Sequence, residues 1–320
     1  MKKISVLVPC YNEEDNIVPI CKAIEEELIN SCPQYDYEIC FIDNCSTDNT
    51  KTLIRDLCKS NPKIKAIFNA RNFGIFNSAC YGLMQLDGDC VINISSDFQD
   101  PVNMIPKFIH EWEKGAKIVS TQKTSDDENK VVRFIRTCYY KMIRKLSAIE
   151  SSSVKQIDHF TGFGLYDKSF IETIRKLNDP IPFLRGLVAE VGYKITTLTY
   201  HHAKRRSGKS KFNFYRLYDA AMLSFTSYTK AGLRIATFVG MIMACVSFLV
   251  AVICLIRKLL NWNEVPMGLA SLVVGVFFLG SMQLFFIGFL GEYIMSMNQR
   301  LMNRPLVIEE ERINWEKEEK

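Results

Sequence analysis

The 320-residue sequence predicts an α/β fold, a mostly parallel sheet with helices on both faces, followed by an interfacial helix and two transmembrane helices. Three observations predict it. Short β-rich runs alternate with amphipathic helical stretches through the first 120 residues. Two later stretches, 232–256 and 269–291, are almost uninterruptedly apolar. Polar, turn-forming signatures fall just after the predicted strands, where open parallel sheets bind their ligands.

Taken in order, Ile4–Val8 reads as a strand, Glu14–Asn30 as a helix, Tyr37–Ile42 as a strand, Thr47–Ser60 as a helix and Ile64–Phe68 as a strand. Phe76–Leu86 follows as a helix, Cys90–Ile94 as a strand, Pro101–Lys114 as a helix and Lys117–Ser120 as a strand. Ser125–Lys130 is an acidic loop. The helix expected over Lys130–Ser147 puts Arg133, Arg136 and Arg144 on one face, which suits anionic lipid heads. Residues 213–231 interleave Phe214, Tyr215, Tyr218, Phe225 and Tyr228 with Arg216 and Lys230, the pattern of a helix lying in a membrane interface; a plain core helix is the alternative.

Gly232–Ile256 carries Arg234 as its only charge, and about 25 helical residues span roughly 37 Å, enough to cross a bilayer. Leu269 to Ile294 has no charge before Glu292, and its Gly and Ser residues suit close helix packing in lipid. Two buried core helices are the alternative. The N-terminal apolar run is too short for a signal peptide. The basic run Lys204–Lys211 before the first span, with Arg300 and Arg304 after the second, marks the cytoplasmic side. The expectation is a multi-pass protein of the cell (inner) membrane. It has a cytoplasmic globular domain at 1–212, an interfacial helix at 213–231, spans at 232–256 and 269–294, and a cytoplasmic tail at 295–320. The net charge of +5 is modest and gives no reason to expect nucleic acid as a partner. Eleven Cys without paired spacing read as free thiols rather than disulfides or a zinc site.

Val8-Pro9-Cys10-Tyr11-Asn12-Glu13-Glu14 follows the first strand, and Asp43-Asn44-Cys45-Ser46-Thr47-Asp48-Asn49-Thr50 follows the second. One such turn alone reads as a helix cap. Two at neighbouring strand ends suit a ribose and base, with Asp43 accepting from them. After the third strand comes Asn69-Ala70-Arg71-Asn72-Phe73-Gly74, then the small Ala79 and Gly82, which let a helix approach the ligand crevice. The fourth strand ends in Ser95-Ser96-Asp97-Phe98-Gln99-Asp100-Pro101. A carboxylate and a side-chain oxygen two residues on, Asp97 and Gln99, can share one hard cation, and Mg²⁺ or Mn²⁺ suits oxygen ligands and a diphosphate.

These four motifs, in order, resemble the family-two glycosyltransferases, and the two apolar stretches narrow the resemblance to the branch that uses polyprenyl phosphate. The family's Pro, Tyr, Asn and Glu are met by Pro9, Tyr11, Asn12 and Glu13. Its Asp, Gly-Ser, Asp, Thr turn is met by Asp43, Ser46, Asp48 and Thr50, and its Arg-Asn-x-Gly by Arg71, Asn72 and Gly74. Phe183–Leu187 and Arg205–Phe212 look like two late cytoplasmic motifs of that branch, and Gly291–Ile294 with Asn303–Leu306 resembles its end. Two departures stand out. Ser95 replaces the first carboxylate of the family's Asp-x-Asp, and Gly162 and Gly164 stand where the family has an Asp and an Arg.

The resemblance implies a GT-A-type sheet and an inverting transfer of a sugar from a nucleotide-sugar, UDP-glucose or another UDP-hexose by preference, to polyprenyl phosphate. It implies a donor site of Pro9, Tyr11, Asn12, Glu13, Asp43, Ser46, Arg71, Gly74, Ser96 and Asp97. The acceptor phosphate is expected at Arg133, Thr137, Arg205, Lys209 and Lys211, the cation at Asp97 and Gln99, and catalytic roles at Asp97, Asp100 and Arg185. The lipid bilayer and further copies of the chain, as a homo-oligomer, are the expected partners. A polysaccharide-elongating synthase is one alternative, opposed by the absence of a Gln-x-x-Arg-Trp segment. The other is a membrane-bound sugar-nucleotide-binding protein without catalysis, suggested by Ser95 and Gly162.

Overall fold

The computed structural model describes residues 1–124, 160–180, 182–201 and 269–315, with scattered positions between 238 and 260. Two compact units divide the chain. One comprises Met1–Arg144, Ser153–Asn213 and Asn303–Lys320, the other Lys145–Ser152 and Phe214–Met302.

The first unit is built on a sheet of eight strands: β1 (Lys3–Cys10), β2 (Asp36–Asp43), β3 (Ile64–Asn69), β4 (Cys90–Asn93), β5 (Ile118–Thr124), β6 (Phe160–Asp167), β7 (Ile195–His201) and β8 (Glu309–Ile313). Their order is β7-β5-β6-β4-β1-β2-β3-β8. β4, β1, β2 and β3 run parallel, as do β5 and β7, while β6 and β8 run against their neighbours. The helices are α1 (Glu14–Ser31), α2 (Thr50–Ser60), α3 (Ile75–Gln85), α4 (Ile105–Glu113), α5 (Lys168–Leu177) and α6 (Leu184–Glu190).

Because side chains alternate across a strand, a strand covered on both faces is apolar throughout. Val6 and Val8 of β1 join Ile39 and Phe41 of β2 on one face, under Ile17, Ile20 and Ile24 of α1, Ile54 of α2 and Phe108 of α4. Leu7, Cys40 and Ile42 face the other way, toward Leu83 of α3, Phe170 and Ile174 of α5, and Leu187 of α6. Each fully buried large side chain contributes about 1.5–3 kcal/mol. The expected elements from Ile4 to Ser120 are present, and the helices cover both faces.

The segment expected to be a tail, 295–320, contains β8. Four of its five residues are charged, which hid it from a reading based on apolar alternation. Its place is the sheet edge, where charge is tolerated. Salt bridges Lys51–Glu310 at 2.8 Å and Arg55–Glu311 at 2.7 Å fasten it. Asn314 Nδ2 donates to the carbonyls of Cys58 and Ile64, both at 2.7 Å, and Trp315 Nε1 donates to that of Ala66. The eight Cys among the described residues are free thiols.

In the second unit α7 (Leu269–Leu301) is a single helix of 33 residues, about 50 Å long at the usual rise. α7 has the length, yet among the described residues no helix is both long and apolar enough to cross a membrane. The expected helix at 130–147 and interfacial stretch at 213–231 lie outside the described residues, as does most of the expected span at 232–256.

Candidate active site

Parallel pairing puts the ends of four strands on one edge: Cys10 sits opposite Asp43, Asp43 opposite Phe68, and Asn93 opposite Leu7. The loops that leave these ends carry the motifs.

The first two loops are stitched together. Ser46 Oγ accepts from Asn12 N at 2.8 Å, Thr50 Oγ1 accepts from Glu13 N at 2.9 Å, and Asn12 Oδ1 accepts from Thr47 N at 2.8 Å. In return Glu14 Oε2 accepts from Asn49 N at 3.0 Å. Asp43 is fully buried, and both its oxygens accept from Ser46, one from the backbone N–H at 2.9 Å and one from the hydroxyl. Burial pushes the Asp43 carboxyl up, with Ser46 and Lys51 opposing. Its visible work is to shape the turn that follows β2.

The third loop hangs from the second. Asn44, Asn69 and Ser78 are buried. Asn44 Oδ1 accepts from Phe73 N at 2.9 Å and from Asn69 Nδ2 at 3.2 Å, while its Nδ2 donates to Asn72 at 3.0 Å. Asn69 Nδ2 also donates to Ser78 Oγ at 3.0 Å. This amide network presents Arg71 and Gly74, both exposed, at the rim. The Arg71 guanidinium lies 4.2 Å over the Phe73 ring.

The fourth loop is a tight turn. Asp97 Oδ1 accepts from Gln99 N at 3.1 Å, and Asp100 Oδ2 accepts from Ser95 N at 3.2 Å. Asp100 Oδ1 accepts from the hydroxyl of Tyr200, on β7, at 2.9 Å. Burial raises the Asp100 carboxyl, against donors from Ser95 and Tyr200. Ser96, Asp97 and Asp100 are all buried. Backbone strain collects at this edge too: Asn12, Cys45 and Phe98 have φ of 55°, 64° and 59°, conformations that non-glycine residues adopt at a cost.

The family profile described as "Glycosyl transferase family 2" matches residues 5–174, which include all four loops. The chain belongs to glycosyl transferase family 2. Over 307 residues it is 34% identical to a "SfII prophage-derived bactoprenol glucosyl transferase" of Shigella flexneri, covering 96% of this chain and 97% of that one. A "Prophage bactoprenol glucosyl transferase homolog" of Escherichia coli strain K12 is 32% identical, with 96% and 98% covered. Glucosyl-3-phosphoglycerate synthase of Mycobacterium tuberculosis aligns over 70% of this chain and 78% of its own. The TM-score is 0.44 and the identity 17%.

In this glycosyltransferase the two glycine departures have local reasons. A Cβ at Gly164 would sit 2.3 Å from the Val119 carbonyl oxygen, so no larger residue fits between β4 and β5. Gly162 has φ 90°, and its carbonyl accepts from Asn93 Nδ2 at 3.0 Å and Tyr166 OH at 2.8 Å. Cys45 stands in left-handed backbone where the family has glycine.

Of the expected residues, Pro9 and Asp43 lie at the ends of β1 and β2, and Tyr11, Asn12, Glu13, Ser46, Arg71, Gly74, Ser96, Asp97, Gln99 and Asp100 lie on the four loops. Arg185 is in α6, with its side chain outside those described, and Arg133, Thr137, Arg205, Lys209 and Lys211 lie outside the described residues. Sequence reasoning passed over Asn44, Asn69, Ser78 and Tyr200. Asn44 stood inside a quoted motif, whereas nothing in the sequence pairs Tyr200 with a residue 100 positions earlier.

Proposed function

We propose that this glycosyltransferase moves glucose from UDP-glucose to polyprenyl phosphate of the undecaprenyl class, at the cytoplasmic face of a cell membrane. The observation that carries the reading is the near full-length match to bactoprenol glucosyl transferases, which extends past the sheet through the apolar C-terminal third.

The acceptor phosphate oxygen attacks the anomeric carbon, the bond from that carbon to the diphosphate oxygen breaks, and UDP leaves with the electron pair, inverting the configuration. A phosphate is already ionised at neutral pH, so the step needs no strong general base. Gly162 in place of a carboxylate is compatible with that. Positioning and charge stabilisation carry the rate. The first three loops hold the nucleotide, and Arg185, Arg205 and Lys211 are assigned to the phosphates. Arg133, Thr137 and Lys209 are assigned to the acceptor.

Among the described residues no three His, Cys, Asp or Glu side chains cluster as a metal site. Asp97 and Gln99 offer a carboxylate and an amide oxygen, a donor set that fits Mg²⁺ or Mn²⁺ only when a diphosphate completes it. Bound there, the cation would neutralise charge on the departing diphosphate.

Membrane attachment through spans at 232–256 and 269–294, a cytoplasmic catalytic domain and a homo-oligomer belong to the same proposal. The long α7 supports it, with Leu272, Val276, Leu284 and Ile287 all exposed. Ser95 and the two glycines favour a second reading, a sugar-nucleotide-binding protein without catalysis. Radiolabelled UDP-glucose incubated with membranes and polyprenyl phosphate separates the readings. Lipid-linked glucose supports transfer, polymer points to a synthase, and no product leaves the binding protein.

A further inference from the structure

We infer that Tyr200 is a positioning residue of the transfer reaction, holding Asp100 and through it the turn that presents Asp97 and Gln99 to the donor diphosphate. The inference rests on the proposed function for its reaction, but its geometry stands apart from the motifs. β7 lies three strands from β4 in the sheet order, a distance of roughly 14 Å at the usual strand spacing. The turn after β4 and the Tyr200 side chain therefore bridge the ends of β6 and β5 between them.

At that contact everything is fixed. Tyr200 is buried, and its ring packs edge-on against Phe163 at 5.3 Å, which in turn packs against Phe108 at 4.9 Å. Only the hydroxyl is polar, and it donates to Asp100 Oδ1 at 2.9 Å. The other Asp100 oxygen takes the Ser95 N–H. Asp100 thus closes the turn on itself and ties it to β7. The turn needs such a tie, because Phe98 at its centre sits in left-handed backbone, which a non-glycine residue adopts only at a cost. Arg205, assigned to the phosphates, follows Tyr200 by five residues. Tyr200 ties the turn after β4 to the far side of the sheet.

The test uses the full-length protein in membranes and the variant Tyr200→Phe, which keeps the ring and removes the donor. A hydrogen bond to a charged acceptor contributes about 1.5–3 kcal/mol, that is, about ten- to a hundredfold. Mn²⁺ binding with UDP present, followed by electron paramagnetic resonance, is expected to weaken by about tenfold. At saturating Mn²⁺, kcat is expected to fall while KM for UDP-glucose stays within about twofold. Combined with Asp100→Ala, which breaks the same link, Tyr200→Phe is expected to add no further loss. Unchanged Mn²⁺ binding in Tyr200→Phe, effects that multiply in the double variant, or a wild-type protein that binds no Mn²⁺ beside UDP would each overturn the inference. A wild-type protein that binds Mn²⁺ and UDP but transfers nothing to polyprenyl phosphate overturns the proposed function instead, and the binding arm still decides the role of Tyr200.

Discussion

The two halves of the sheet edge are held in different ways. On the β1–β2–β3 side, neighbouring loops bond directly to one another, Asn12 to Ser46 and Thr47, Asn44 to Asn72 and Phe73. On the β4–β6–β5–β7 side, one turn closes on itself and is anchored by a residue 100 positions away. The first half distributes its order over many modest bonds, so single losses there should weaken the proposed donor site by degrees. The second half rests its order on a few groups, so single losses there should be severe.

The largest effect is expected for Asp97→Asn, which removes the turn's carboxylate from the assigned cation site. Transfer should fall by about a hundredfold or more, while Ser95→Ala stays mild. Full activity after EDTA treatment, or a wild-type rate for Asp97→Asn, would show that Arg and Lys alone neutralise the leaving group.

Next comes Gly164→Ala. Its Cβ would meet the Val119 backbone, so β6 must shift, at a cost of about 3 kcal/mol or more. Urea unfolding measures it, and an unchanged midpoint would mean that β5 and β6 separate easily.

On the other half, Asn44→Ala strips partners from Asn69, Asn72 and Phe73 N. Leaving buried donors unmade costs about 1–3 kcal/mol. We expect KM for the nucleotide-sugar to rise about tenfold with kcat little changed, in steady-state assays.

Glu38, beneath the same half, is buried with Lys3 at 2.5 Å and Lys65 at 2.8 Å. Burial would raise its carboxyl, but Lys3, Lys65 and Ser5 together hold it below the ordinary value. Its stabilisation is therefore complete above the unfolded pKa, about 4.3, and is lost as pH falls through the lower folded value. Glu38→Gln should cost about 2 kcal/mol at pH 7, less than a fully enclosed pair because both lysines reach solvent. The gap from wild type in urea titrations should narrow in acid.

The smallest effect runs the other way. Cys45→Gly relieves left-handed backbone and should stabilise by about 1 kcal/mol, seen as a rise of a few degrees in Tm.

The contrast also explains what could be read from the sequence. The elements from Ile4 to Ser120 were legible because both sheet faces are covered, which writes continuous apolar strands and one-sided helices. The loops of the first half were legible because their partners lie within two short motifs. Asn44 and Asn69 were overlooked because an amide advertises neither charge nor chemistry, although together they hold up the Arg71 loop. Tyr200 and β8 were invisible for a different reason. Each meets its partner across a long sequence separation, and neither carries a local pattern that names it.

β8 also fixes when this protein can be finished. A ribosome must deliver residues 309–313, long after β3 itself has emerged, before β3 gains its outer neighbour. Until then the Ala70 N–H, just ahead of Arg71, lacks the Ile308 carbonyl that it meets in the mature fold. Everything upstream, α7 included, is therefore synthesised while this corner of the proposed donor site is still incomplete. Domains fold as units during synthesis, and this one waits for β8.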